Sequence, residues 1–336
     1  MLLHTVSSRK TRYTIAALGV LLLATACGAS TTAPGSESTT KAATSAGSSV
    51  ADSSAAVSES EPTPLNLNLA KDETIAAALP DKYKQSGTIV VATDATYAPN
   101  EFLAEGSNDP IGMDIDLANA LGQILGLKVT VEPASFDGII PGINAGRYDM
   151  SLSSFTDTKE REASVNFVTY FEAGTSTMVL AGNPQNINAA TDLCGRPVGA
   201  ENSTIQLAQL KDATVTGSVV KACADAGKPA PIAQGYPKQT DVNSALVAGR
   251  IDAYLADSPV VAYAVKQTGD KFEKVGQDQG AAPYGIAIPK DPAALTPAIQ
   301  QAVQKLIDSG AYQQILDNWG VSSGAITTSV VNGATY

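Results

Sequence analysis

Apolar residues follow two alternating rhythms along most of this chain. Short runs of β-branched and aliphatic residues, such as Thr88-Ile89-Val90-Val91-Ala92, give way to stretches where apolar positions recur every three or four residues. Leu117, Leu121, Ile124 and Leu125 form one such stretch behind Asp116. The first rhythm predicts buried strands and the second predicts amphipathic helices, with Asp116 placed to cap a helix start. The alternation continues with a strand over residues 128–132, a helix over 138–145 closed by Gly146, and a strand over 148–153. A second series begins at Arg196: a strand over 198–200, helices over 204–210 and 242–248, the latter closed by Gly249, and a strand over 251–256. Residues 284–288 predict a strand that returns to the first series, and 296–309 and 312–319 predict closing helices. Strands alternating with helices give an α/β fold whose default architecture is a mainly parallel sheet.

One phrase occurs in both series. Ala145-Gly146-Arg147-Tyr148-Asp149 and Ala248-Gly249-Arg250-Ile251-Asp252 each join a helix end to a strand start, so two lobes on one plan are expected. The residues after the copies differ in chemistry. Ser153, Ser154, Thr156 and Arg161 follow the first, and Asp257 follows the second, a pairing suited to a small zwitterion held between two lobes.

The start of the chain carries a different pattern. Arg9, Lys10 and Arg12 precede an apolar run over residues 13–26 that is short for a bilayer span, and Ala24-Thr25-Ala26 leads into Cys27. This resembles a bacterial lipoprotein signal, cleaved before a lipidated cysteine, although Ala24 stands where such signals more often carry Leu. A short membrane anchor is the other reading of the run. Residues 28–64 are almost entirely Ser, Thr, Ala, Gly, Pro and Glu, too poor in apolar surface to fold, and suit a tether.

Charge and composition narrow the partners. Loss of residues 1–26 removes three of the 22 basic side chains and none of the 33 acidic ones, moving the net charge from −11 to −14, so nucleic acid is not expected. His4 is the single histidine and leaves with the signal, which excludes a Ser-His-Asp triad, a Cys-His pair and a histidine zinc site. Cys194 and Cys223 remain, an even pair in an exported chain, which is expected to form a structural disulfide.

In open α/β sheets ligands sit beyond the carboxyl ends of strands. The loops there contain Asp94 and Tyr97, then Phe136, then Ser153 to Arg161, then Asp257. Each has an ordinary reading as well. Arg161 among Lys159, Glu160 and Glu162 could be a solvated helix face, Tyr97 and Phe136 could be core, Asp94 could stabilise a turn, and Asp257 before Ser258-Pro259 could cap a helix. Asp114, Asp116, Asp149 and Asp252 are read as structural.

Several motifs occur in order: Thr93-Asp94 with Tyr97-Ala98-Pro99, Gly112-Met113-Asp114-Ile115-Asp116-Leu117, Phe136-Asp137-Gly138-Ile139-Ile140-Pro141, Ser153 to Arg161, and Ala256-Asp257-Ser258. Through them the chain, from about Gly87 to Gly320, resembles the family 3 extracellular solute-binding proteins, periplasmic or lipid-anchored receptors of ABC importers for polar amino acids. The resemblance implies a periplasmic-binding-protein-like fold, two α/β lobes joined by crossover strands with the ligand in the cleft. Residues 81–180 with 281–322 would form lobe 1, 181–280 lobe 2, 27–80 a lipidated, disordered tether and 323–336 a tail. Arg161, with Ser154 and the backbone of Thr156, would hold a ligand α-carboxylate, with Thr204 adding a contact from the second lobe. Asp257 and Ser154 would hold the α-ammonium. Tyr97 and Phe136 would sandwich the aliphatic stem, Ser153 would join this wall, and Asp94 would face the distal group.

Asn100 stands where many relatives carry an aromatic residue, which implies a more polar pocket. With the Asp94 carboxylate it favours a basic amino acid or glutamine over glutamate. The implied protein is a monomeric receptor anchored to the cell membrane through Cys27, working with an ABC permease, with no metal, no cofactor and no catalysis. A sensor module for a membrane kinase and a dehydratase-like enzyme with Glu101 as a base are the alternatives.

Overall fold

The computed structural model describes residues 62–336. The expected signal, the lipidated Cys27 and the tether as far as residue 61 lie outside the described residues. In chain order the elements are α1 (Glu73–Ala78), α2 (Asp81–Ser86), β1 (Thr88–Thr93), β2 (Thr96–Tyr97), β3 (Glu101–Leu103), β4 (Pro110–Ile111), α3 (Met113–Leu125), β5 (Lys128–Pro133), α4 (Phe136–Asn144), β6 (Met150–Ser151), α5 (Lys159–Glu162) and β7 (Asn166–Leu180). There follow β8 (Pro197–Glu201), α6 (Ile205–Lys211), α7 (Val219–Asp225), β9 (Ile232–Tyr236), α8 (Gln239–Val247), β10 (Ala253–Asp257), α9 (Ser258–Thr268), β11 (Phe272–Ile288), α10 (Leu295–Ser309) and α11 (Ala311–Trp319).

Eight strands form one sheet in the order β5-β1-β6-β11-β7-β10-β8-β9. The three strands on each flank are mutually parallel, as the βα alternation demands. The two central strands, β7 and β11, are long, antiparallel and shared by both halves: Thr175–Met178 of β7 pair with β10, and Ala287 of β11 pairs with β6. Their mutual register shifts between Val275 and Gln279, between Gln279 and Ala282, and between Tyr284 and Gly285. Two lobes are therefore joined by a pair of crossing strands, the periplasmic-binding-protein-like α/β fold. β2, β3 and β4 form a separate small antiparallel sheet.

The repeated phrase marks the same joint in each lobe. Gly146 (φ 73°) and Gly249 (φ 65°) take the left-handed conformation that stops a helix. The following N–H groups, of Arg147 and Arg250, bond back to Gly142 and Ala245, closing α4 and α8 alike. Asp149 N–H then donates to Val90 O and Asp252 N–H to Pro197 O, each aligning the next strand with the first strand of its lobe. The Asp149 carboxylate accepts from Lys82, Tyr83 and Val90 N–H, and Asp252 pairs with Arg196, so both aspartates are structural.

Two expectations are corrected. First, α3 starts at Met113, so Asp116 lies in its interior and caps nothing. Gly112 at φ 133° makes the turn four residues earlier, where a Cβ would stand 2.2 Å from Asn100 O. Asp116 is buried and accepts from Trp319 Nε1 at 2.7 Å and from Leu65 N–H at 3.0 Å. Second, order begins well before residue 81. Leu65, Leu67 and Leu69 pack on the core of the first lobe and α1 lies against α3 and α10, because this segment alternates apolar and polar residues unlike the stretch before it. Residues 323–336, named from the sequence only as a tail, hydrogen-bond along β7.

Cys194 and the buried Cys223 of α7 are bonded to each other, 29 residues apart in sequence, beside the core of the second lobe. Closing such a loop restrains the unfolded chain by about 3 to 4 kcal/mol. The double variant Cys194→Ser/Cys223→Ser is expected to lower the unfolding free energy by about that amount in a urea titration; an unchanged midpoint would show that the bond restrains nothing.

Candidate functional site

The carboxyl ends of the strands meet in a narrow cleft lined by residues of both lobes. All nine residues expected from the sequence line it: Asp94, Tyr97, Phe136, Ser153, Ser154 and Thr156, with Arg161, Thr204 and Asp257. Glu101, Glu201, Ile205 and Gln206 complete the wall. Of these, Glu201, Ile205 and Gln206 escape the sequence reading. The signal for Glu201 was present, a carboxylate at the end of the 198–200 strand directly before Asn202-Ser203-Thr204.

Each wall residue is fixed by its neighbours. Asp94, just past β1, accepts from the Thr96 hydroxyl at 2.7 Å and the Phe136 N–H at 2.9 Å, and its own N–H donates to Ser153 Oγ at 2.8 Å. The turn reading of Asp94 is thus correct, and the same bonds place its carboxylate in the cleft. Phe136 opens α4 and stacks on Phe155 with ring centroids 4.2 Å apart. The Arg161 guanidinium lies 5.6 Å from the Phe136 ring centre and 5.2 Å from that of Phe155, within cation–π reach. Arg161 Nη1 donates to Thr156 O at 2.7 Å and Nη2 to Ser203 O at 2.8 Å, so its side chain turns inward and reaches the second lobe. A solvated helix face does not describe it.

Ser154 adopts φ 50°, a conformation that costs a non-glycine residue about 1 kcal/mol. It is held there from every side: its N–H donates to Asp114 Oδ2 at 3.0 Å, its hydroxyl donates to Glu101 Oε2 at 3.1 Å, and Asn100 Nδ2 donates to the same hydroxyl at 2.9 Å. Asn100 therefore stands behind Ser154 and does not face the cleft, so the expected polar wall at that position is supplied by Ser154 itself.

On the second lobe, Asp257 sits in the N-cap position of α9 but makes no capping bond. Its carboxylate accepts from Gln206 Nε2 at 2.8 Å and, across the cleft, from the Tyr97 hydroxyl at 2.9 Å; its N–H donates to the same hydroxyl at 3.0 Å. The Thr204 hydroxyl caps α6, accepting from Leu207 N–H at 3.2 Å while donating to Glu201 O at 2.7 Å. That leaves Thr204 a wall residue whose hydroxyl is already engaged.

Four carboxyl groups and a guanidinium share this space, and burial raises the carboxyls of Asp94, Glu101, Glu201 and Asp257 and lowers Arg161. Glu201, 2% exposed, has a buried Oε1 without a protein partner, and its carboxyl reaches Asp94 across the cleft. Burial and the Asp94 charge push Glu201 up to about 9. Burial and Asp114 push Glu101 well above the carboxylate range. Burial raises Asp257 to about 6, restrained by bonds from Tyr97 and Gln206 and by the Arg161 charge. Burial lowers Arg161 to about 10, which still leaves it cationic. At neutral pH Glu201 thus keeps its proton, the raised Glu101 favours its neutral form, and Arg161 stays cationic beside Asp257. Four carboxyl groups against one guanidinium make the cleft acidic.

Among the described residues no cluster of His, Cys, Asp and Glu suits a metal ion, and no helix is long and apolar enough to cross a membrane.

Residues 89–322 match the model of the bacterial extracellular solute-binding proteins, family 3. The chain is 31% identical over 258 residues to the arginine-binding protein ArgT of Corynebacterium glutamicum, covering 77% of this chain and 82% of that protein. It is 27% identical over 241 residues to the L-cystine-binding protein TcyJ of Escherichia coli, covering 71% and 85%. Among solved structures, an ancestral arginine-binding protein bound to arginine superposes with a TM-score of 0.62 at 34% identity, covering 69% of this chain and 98% of that one.

The Tyr97 hydroxyl lowers the Asp257 pKa by donating to it. Removing it in Tyr97→Phe is expected to push Asp257 further above about 6, read from the carboxyl carbon shift in an NMR pH titration; a fall would contradict the assignment.

Proposed function

Because the chain belongs to the bacterial extracellular solute-binding proteins of family 3, we propose that it captures a cationic amino acid, L-arginine foremost, between its lobes and delivers it to the permease of an ABC importer. The observation that carries this reading is the excess of acidic groups in the cleft, Asp94, Glu101, Glu201 and Asp257 against Arg161. A zwitterion brings no net charge to answer that excess, whereas an amino acid with a cationic side chain brings +1. Glutamate would make the imbalance worse, and neutral glutamine would leave it.

In this reading Arg161 grips the α-carboxylate through its guanidinium fork, with Ser154 and Thr156 beside it, and Asp257 takes the α-ammonium. Tyr97 and Phe136 cover the aliphatic stem, with Ser153 and Thr204 completing the wall. Asp94 and Glu201, one from each lobe, take the distal cation. A ligand spanning the cleft uses groups from both lobes at once, which favours closure by hinge motion at the irregular register of β7 and β11. Catalysis is disfavoured because Glu101, the base that a dehydratase-like reaction would use, lies under Ser153 and Ser154 and holds its proton.

In the same reading the chain is exported, carries a lipid on Cys27 that anchors it outside the cell membrane through the tether, and meets its permease there as a monomer.

Calorimetry is expected to rank L-arginine above L-lysine and L-ornithine, then L-glutamine, with no binding of L-glutamate. Arg161→Ala and Asp257→Ala should each weaken arginine by about 100-fold, the scale for losing a buried charge-assisted pair. Equal affinity of both variants and wild type would sink the assignment. Acid should also weaken binding: Asp257 gains a proton below about 6, so arginine affinity should fall about tenfold between pH 7 and pH 5. A pH-independent affinity would remove Asp257 from the ammonium site.

A further inference from the structure

Residues 326–336 lie beyond the stretch that matches the family model, yet they are closely tied to the first lobe. Ile326 N–H donates to the Tyr312 hydroxyl at 3.1 Å, and Ser329 Oγ donates to Thr169 O at 2.7 Å. Thr169 N–H donates to Val330 O at 2.9 Å, Val331 bridges Val168 antiparallel, and Phe167 and Asn332 exchange bonds of 2.8 and 2.9 Å. The segment thus runs beside the start of β7 before turning at Asn332, φ 54°. At Gly333 the approach is so close that a Cβ would stand 2.8 Å from both Thr169 Cγ2 and Val330 Cγ2.

The next bonds all land around Arg161. Gly333 N–H donates to Asp157 Oδ2 at 2.7 Å, Ala334 N–H donates to Glu162 Oε1 at 3.1 Å, and Lys159 N–H donates to Tyr336 O at 3.1 Å. Arg161 sits on α5, a helix of one turn. A single turn fixes several dihedrals for very few hydrogen bonds, and its first N–H groups have no partner within the helix. The Thr158 side chain supplies one acceptor, to Arg161 N–H at 3.2 Å, and Tyr336 O supplies another, to Lys159 N–H.

We propose that residues 326–336 act as a strap that presets Arg161 for a ligand carboxylate, with Gly333, Ala334 and Tyr336 as positioning residues that hold the α5 turn from outside. Without the strap the α5 turn must be ordered when ligand binds, and that cost weakens any ligand that uses Arg161. The inference rests on the reading of Arg161 as the carboxylate grip, but the order of α5 is measurable without a ligand.

Two variants of the full chain separate the possibilities: one lacking residues 333–336, and Ala334→Pro, which removes a single strap donor. Each is titrated with L-arginine and with L-argininamide, whose carboxylate is replaced by a neutral amide. Amide exchange at Ser164 and Val165, whose N–H groups bond to Arg161 O, is followed without ligand. The strap should show as a loss of about tenfold for arginine, a change within about twofold for argininamide, and faster exchange at both amides. Unchanged exchange together with unchanged arginine affinity overturns it, and an equal loss for both ligands overturns it in favour of general loosening of the lobe. Failure of the wild-type chain to bind arginine would overturn the ligand reading instead, leaving amide exchange to decide the strap.

Discussion

Buried charge is the constraint on which the rest of this structure depends. Asp94, Glu101, Glu201, Asp257 and Arg161 line one cleft with little access to water, and isolated ions in such a place are costly. The protein meets that cost by shifting Glu101 and Glu201 toward their neutral forms, by pairing carboxylates with hydroxyl and amide donors, and by placing Arg161 beside the stacked rings of Phe136 and Phe155 and against two backbone carbonyls. What remains is an acidic cleft, four carboxyl groups against one guanidinium. A cationic ligand would neutralise it while shielding the same groups from water, so selectivity and lobe closure would share one electrostatic cause.

The scaffold aims these groups by repetition. Two equivalent helix stops, at Gly146 and Gly249, feed two strands whose ends carry Ser153 and Ser154 in one lobe and Asp257 in the other. Behind them the supports are unlike. Ser154 is locked by Glu101, Asp114 and Asn100, whereas Asp257 is held by Gln206 and by Tyr97 from the facing lobe. A shared backbone plan thus carries different side-chain chemistry on its two sides, with β7 and β11, among the described residues, as the strands common to both halves of the main sheet.

Much of this was legible in the sequence because it is local. The two hydrophobic rhythms, the glycine helix stops and the hydroxyl-rich loop ahead of Arg161 are adjacent-residue signals, and they give the α/β alternation and the loops that carry most of the wall, while Thr204 and the ligand roles come from the family resemblance. The crossing strands were not legible: only residues 284–288 of β11 look strand-like, because its exposed half, Glu273 to Gly280, is polar. The ordered residues 65–80 hide beside a low-complexity stretch that masks the alternation of Leu65, Leu67 and Leu69. Asn100 was placed on the wrong side of Ser154 because sequence gives spacing but not facing. Glu201 and Gln206 were missed because their meaning comes from Asp94 and Asp257, which are distant in the chain and meet them only after folding.

The comparison of L-arginine with L-citrulline tests the central claim most directly. The two have nearly the same shape, but citrulline carries a neutral urea where arginine carries a guanidinium. If the charge of the cleft selects the ligand, calorimetry at pH 7 will show citrulline binding at least about 100-fold more weakly. Comparable affinity for the two would contradict the account, leaving shape and not charge as the basis of recognition.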